Sequence, residues 1–152
     1  MYKILSFSLL LLLAFSCKDT VSYEEQLALD TQKIETYLNE HNITAQNTAS
    51  GLYYVITEEG NGSKPISTST VTVGYKGYLL DGTVFDETVG SAWAQFNLGG
   101  VVPGFSEATR LLKTKGKGTF FMPSGLAYGT SGSGSIPANA PLVFEIYLVE
   151  FY

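Results

Sequence analysis

The chain has 152 residues, with 14 acidic side chains against 9 basic ones and a net charge of −5. That balance argues against a nucleic-acid partner, because phosphate contacts need clustered Lys and Arg. One cysteine and one histidine allow no internal disulfide and no obvious metal cluster, so packed side chains alone must hold the fold and no cofactor is expected.

Met1-Tyr2-Lys3 precedes an apolar run from Ile4 to Phe15 that stops at Ser16-Cys17. A basic start, a dozen or so apolar residues and small residues before a break predict a secretory signal, whereas a spanning helix needs about 20 apolar residues. Leu13-Ala14-Phe15-Ser16-Cys17 resembles the lipobox of bacterial lipoproteins, with Ala14 where leucine is commonest. That resemblance implies cleavage after residue 16 and a lipid on Cys17 anchoring the protein to a membrane of the cell envelope. The remaining 136 residues suit one small domain on a tether. Residues 17–50 are read as that tether and 51–152 as the domain.

Within the tether, Leu27, Ile34, Tyr37 and Leu38 recur at helical spacing and predict an amphipathic helix over about 23–41. Its apolar stripe fits either the main domain or a partner, and His41 falls at its exposed end. Residues 43–50, rich in Thr, Ala, Asn and Ser, read as a linker.

From Gly51 the pattern becomes short strands between glycine-rich turns. Leu52–Thr57 is aromatic and β-branched. Over 70–80, Val71, Val73, Tyr75, Gly77 and Leu79 share one face, and Asp81-Gly82 is a hairpin signal. Two further strands are read at 95–98 and 119–122. Pro103-Gly104 introduces one short helix, with Phe105, Ala108, Leu111 and Leu112 on a common face, ended by Lys113-Thr114-Lys115-Gly116. Arg110, Lys113, Lys115 and Lys117 then read as complementing the helix C-terminus and keeping the loop solvated, with partner binding the lesser alternative. The last run, Leu142 to Tyr152, is a long strand apolar enough for the centre of a sheet. Many strands with one short helix predict an α+β fold, an antiparallel sheet wrapped on a helix.

Four segments place large apolar side chains beside turns: Gly74–Gly77, Val84–Asp86, Gly100–Phe105 and Ala127–Gly129. They supply apolar walls, one buried-looking carboxylate, some hydroxyls and backbone donors. They contain no evident nucleophile or phosphate loop. Such a set suits gripping an apolar, carbonyl-rich ligand rather than ordinary covalent chemistry.

In order, the stretches VGYKGYLLDGTVFD, FNLGGVVPGF, LAYG and IPANAPLVFEIYLVEF resemble the FKBP-type peptidyl-prolyl cis-trans isomerases, over about Gly51 to Tyr152. The layout is similar to lipid-anchored FKBP proteins of Gram-negative envelopes. The resemblance implies a bent five- to six-stranded antiparallel sheet around one short helix. It also implies a pocket floored by Phe105 and walled by Tyr75, Phe85, Val101, Val102, Ile136 and Phe144, with Phe96 just behind as support. Tyr128 would donate its hydroxyl to a substrate carbonyl and the Val102 N–H would hold another. Asp86 would sit in the wall, hydrogen-bonded by Tyr75, its field acting near the proline amide. The implied partners are proline-containing polypeptides met by a monomeric domain.

These residue types suit the reaction. An X–Pro bond resists rotation because amide resonance sets a barrier of about 18–20 kcal/mol. The twisted amide is less dipolar than either planar form, so a pocket that excludes water favours it. Taken singly, the rings are ordinary core candidates, Asp86 a turn cap and Tyr128 a loop pin; the ordered set of motifs outweighs those readings. Phe105 stands where the family commonly has tryptophan, which implies a shallower floor and a weaker grip on macrolide inhibitors. Ala94 replaces a frequent aromatic wall, and the neighbouring Trp93 either compensates or serves as a surface anchor. A proline-binding module with little turnover, or a structural part of an envelope complex held through the 23–41 helix, are the competing readings.

Overall fold

The computed structural model describes residues 21–90 and 92–152; the expected signal segment and Cys17 lie outside them. Helix α1 (Tyr23–Glu40) begins at a capping box. The Ser22 hydroxyl accepts from the Glu25 amide at 3.2 Å, and the Glu25 carboxylate accepts from the Ser22 amide at 2.8 Å, which satisfies two otherwise orphaned donors. The helix stops one residue short of the expected 41 because His41 forms the cap and Asn42 takes a left-handed φ of 55°. Asn42 N–H then bonds the Asn39 carbonyl and Ile43 N–H the Leu38 carbonyl at 2.8 Å, the pattern of a Schellman motif.

That motif turns the chain back onto the sheet. Residues 43–50 are therefore not a free linker. Ile43 and Ala45 pack beside Leu38, strand β1 (Gln46–Asn47) pairs with β2 (Tyr53–Glu58), and Gly51, at φ 89°, closes the turn between them. Composition hid this because the anchoring contacts come from the sheet rather than from neighbours in sequence.

The remaining elements are β3 (Thr70–Leu79), β4 (Val84–Glu87), β5 (Ala94–Asn97), α2 (Pro103–Leu111), β6 (Lys117–Met122), single 3-10 turns at Ser124–Leu126 and Gly129–Ser131, and β7 (Leu142–Phe151). The strands form one antiparallel sheet in the order β1-β2-β6-β7-β3-β4, with β5 sharing the β3 edge. Seven strands thus exceed the expected five or six. The two-residue β1 is the added edge, and β4 and β5 pair with successive parts of β3. β7 lies between β6 and β3, as its apolar run demands. The alternation of β3 pairs Tyr75 with Ile146 and Gly77 with Phe144. Irregularities between Gly77 and Tyr78, Thr72 and Val73, and Ile56 and Glu58 add local twist and bend the sheet.

The bent sheet has a covered face on each side. On the concave side α2 meets Val71, Val73, Phe120, Met122, Leu142, Phe144, Ile146 and Leu148 through Phe105, Ala108 and its C-cap Leu112. Burying a large apolar side chain fully contributes about 1.5–3 kcal/mol, so this cluster dominates the stability. The Thr109 hydroxyl, buried among these residues, donates to the Phe105 carbonyl at 2.8 Å. On the convex side Ile34 and Leu38 of α1 cover Phe121 and Val143. Those two residues point outward because they alternate with Phe120, Met122 and Phe144 along their strands. The amphipathic stripe therefore docks on its own domain.

Candidate active site

The open end of the concave face holds a cavity of about 700 Å³, within the range of small-ligand sites. Helix α2 supplies the floor. Val102 is its N-cap, Pro103 sits at the first turn, and the Val102 carbonyl accepts from the Phe105 and Ser106 amides. Pro103 suits that position because its missing N–H would be unpaired there anyway. Phe105 consequently projects from the first turn into the centre of the sheet's rings and is only 4 % exposed.

Around Phe105 stand Tyr75, Phe96 and Phe144, with centroid separations of 5.8, 5.7 and 5.3 Å and near-perpendicular planes. Phe85 meets Phe144 edge-on at 5.5 Å. Edge-to-face pairs bring positive ring edges against negative faces and hold each ring's orientation. Gly77 makes the arrangement possible: a Cβ there would come within 2.5 Å of Phe85 and 2.9 Å of Phe144. The two rings lie across bare backbone.

The Tyr75 hydroxyl donates to Asp86 Oδ2 at 2.5 Å. Burial, and then the hydrogen bond and charge of Asp86, push the Tyr75 phenol well above the ordinary tyrosine value, so it stays a donor at neutral pH. The nearby Tyr128 adds to that rise. Val101, Val102, Tyr128 and Ile136 complete the lining together with Gly100, Ser133, Gly134 and Ser135.

All ten pocket residues expected from the sequence line this one cavity. Two are placed differently from expectation. Asp86 is exposed at the rim, because β4 is an edge strand and no strand among the described residues flanks it on the outer side. Phe96 lines the cavity itself rather than standing behind it. Trp93 does not replace the aromatic wall missing at Ala94. It lies on the other face, covering Gly74 and meeting Tyr147 edge-on at 5.7 Å. The rim residues 133–135 were missed; their only mark in the sequence is a serine–glycine run that reads as plain loop. Of the basic group, Lys113 and Lys117 pair with Glu59 and Glu58 at the surface, where such pairs contribute little. Among the described residues no group of acidic, His or Cys side chains could hold a metal ion.

An antiparallel sheet bent round one short helix, with a ring-lined cavity at its open end, defines an FKBP-like α+β domain. A family model for FKBP-type peptidyl-prolyl cis-trans isomerase matches residues 61–149. The chain is 44% identical over 123 residues to a probable FKBP-type peptidyl-prolyl cis-trans isomerase FkpA of Neisseria meningitidis, a match covering 78% of this chain and 45% of that protein. It is 44% identical over 103 residues to the outer membrane protein MIP of Legionella longbeachae, covering 66% of this chain and 44% of that one. The crystal structure of FkpA from Escherichia coli superposes with a TM-score of 0.73 at 34% identity, covering 84% of this chain and 62% of that chain. The chain thus spans less than half the length of these two sequence relatives. It belongs to the FKBP-type peptidyl-prolyl cis-trans isomerase family.

Proposed function

We propose that this chain catalyses cis-trans rotation of X–Pro bonds in exported or envelope proteins and so assists their folding. The convergence of Tyr75, Phe85, Phe96, Phe105 and Phe144 on one cavity beside a tyrosine-held carboxylate is the observation that carries this reading. Uncatalysed X–Pro exchange takes tens to hundreds of seconds at 25 °C. A proline ring seated on Phe105 leaves water behind, and its amide then loses the solvation that favours the planar, more dipolar forms. Tyr128 donates to a carbonyl of the peptide and the Val102 N–H holds another, so that binding energy is spent on the twist rather than on the resting state. Asp86, oriented by Tyr75, places its field beside the rotating amide. No covalent intermediate is needed.

In the same reading Cys17 carries the lipid that holds a monomeric domain at a membrane. The printed name of the Legionella relative, an outer membrane protein, supports an envelope location. No described helix is long and apolar enough to cross a membrane. Two experiments test the proposal. A protease-coupled assay on X-Pro peptides compares wild type with Asp86→Ala and Tyr128→Phe; proline peptides bound without any rate above background would favour a binding module instead. Mass spectrometry of the mature N-terminus reads the anchor directly, and an unmodified Cys17 would remove it.

A further inference from the structure

Helix α1 is joined to the turn that precedes Tyr128 through one buried carboxylate. Asp30 is 0% exposed, and its Oδ2 accepts from the Ser124 amide at 2.8 Å and from the Ser124 hydroxyl at 2.5 Å. Oδ1 accepts from Gln26 Nε2 at 2.8 Å, and Lys33 Nζ lies 3.7 Å away. A carboxylate so far from water is costly unless donors surround it, and apolar side chains of similar size often dock a helix at least as well. Docking alone therefore does not account for an aspartate here.

What Asp30 holds is the 3-10 turn at Ser124–Leu126, which runs directly into Ala127 and Tyr128. Within the turn the Leu126 amide donates to the Pro123 carbonyl at 3.0 Å and the Ala127 amide to the Ser124 carbonyl at 2.9 Å. The turn is gripped from two sides. Tyr23 of α1 lies on Gly125, where a Cβ would come within 2.8 Å of its ring. Gly104 of α2 approaches so closely that a Cβ would stand 2.9 Å from the Leu126 carbonyl oxygen. Gly104 is the residue next to the floor ring Phe105. The floor, the Tyr128 segment and α1 thus meet at three consecutive residues, Ser124, Gly125 and Leu126.

We propose that Asp30 is a positioning residue for the isomerase site: by fixing Ser124 it sets the turn and, through it, the place of the Tyr128 hydroxyl. The proposal rests on the isomerase reading above. It makes α1 a working part of the domain and not only a spacer from the membrane.

The test uses the full chain with Asp30→Ala, Asp30→Asn and Ser124→Ala. Ile34→Val serves as a control that loosens the same helix against Phe121 and Val143 without touching Ser124. Three quantities are read: the urea midpoint, kcat and KM separately on an X-Pro peptide, and amide hydrogen exchange of residues 124–128. A displacement of about 1 Å far from the chemistry can cost up to about 100-fold. Asp30→Ala is accordingly expected to lower kcat about tenfold and to speed exchange across 124–128. Asp30→Asn, which keeps an acceptor oxygen, restores part of the rate, and Ile34→Val keeps the wild-type kcat at a lower urea midpoint. Wild-type kcat and KM in folded Asp30→Ala and Ser124→Ala overturn the proposal, as does a loss in Ile34→Val that simply follows its stability. If Asp30→Ala does not fold, Asp30→Asn and Ser124→Ala decide by the same criteria. A wild type that turns over no peptide defeats the isomerase reading by itself. The exchange arm then still decides the positioning, and unchanged exchange at 124–128 in Asp30→Ala and Ser124→Ala sinks it.

Discussion

Replacing Tyr75 with phenylalanine removes one oxygen and keeps the ring. The ring's contacts to Phe96, Phe105 and Phe144, at 5.7, 5.8 and 6.2 Å between centroids, survive, and with them about 0.5–1.5 kcal/mol per pair. Only the hydrogen bond to Asp86 is lost. A bond to a charged acceptor contributes about 1.5–3 kcal/mol when sheltered. Asp86 is exposed, water competes for it, and the expected stability loss falls to about 1 kcal/mol or less. Activity should suffer more. Without its tether the carboxylate samples several rotamers, and losing about 1.4 kcal/mol of transition-state stabilisation lowers kcat/KM about tenfold. The measurement is a double-mutant cycle with Asp86→Asn, scored by protease-coupled isomerisation and by urea midpoints. Because the two groups act as one unit, the double variant should be no slower than the slower single one. Additive losses, or Tyr75→Phe turning over at the wild-type rate while Asp86→Asn is impaired, refute the coupling.

Gly77→Ala should push the Phe85 and Phe144 rings off the backbone, destabilise by about 1–3 kcal/mol as overpacking does, and reduce kcat/KM beyond what the stability loss explains; calorimetry and the isomerase assay check both. Phe105→Trp should likewise cost about 1–3 kcal/mol, since three rings already crowd that floor, and a wider floor should tighten macrolide binding measured by titration calorimetry. Alkaline pH should be destabilising. Burial, followed by the Glu35 hydrogen bond and charge, raises Tyr53 to about 12, and Tyr75 and Tyr78 are also raised, burial again leading. Their protonated forms are favoured in the folded state, so the stability is complete below the unfolded tyrosine value of about 10 and is lost as pH rises through the folded values. Urea midpoints should hold level from pH 7 to 9 and fall above 10, with a shallower fall in Tyr53→Phe; an identical fall in that variant would count against the assignment.

The pocket was readable where periodicity carries it. Tyr75 and Gly77 alternate with outward residues along β3, and Phe144 does so along β7, so their shared face follows from chain geometry before any contact is known. Phe105 was likewise placed by Pro103 and by the apolar face of a helix too short to point it elsewhere. The exposure of Asp86 was not readable. Its apolar neighbour Phe85 implied shelter, but shelter depends on whether another strand lies outside β4. Residues 43–50 misled for the same reason, since their polar composition is that of a linker and only Asn42's left-handed turn delivers Ile43 and Ala45 to the sheet.

Alternation, turn chemistry and the ordered motifs in the chain by themselves determined an antiparallel sheet on one short helix and the set of rings that line its cavity, because each depends on spacing between near neighbours. The tertiary structure alone decided what lies far apart in sequence. It laid Phe85 and Phe144 across the bare backbone of Gly77, left Asp86 at a rim, and joined Asp30 to Ser124, 94 residues away. Such contacts form only when separate elements pack, and no local pattern records which of them will meet.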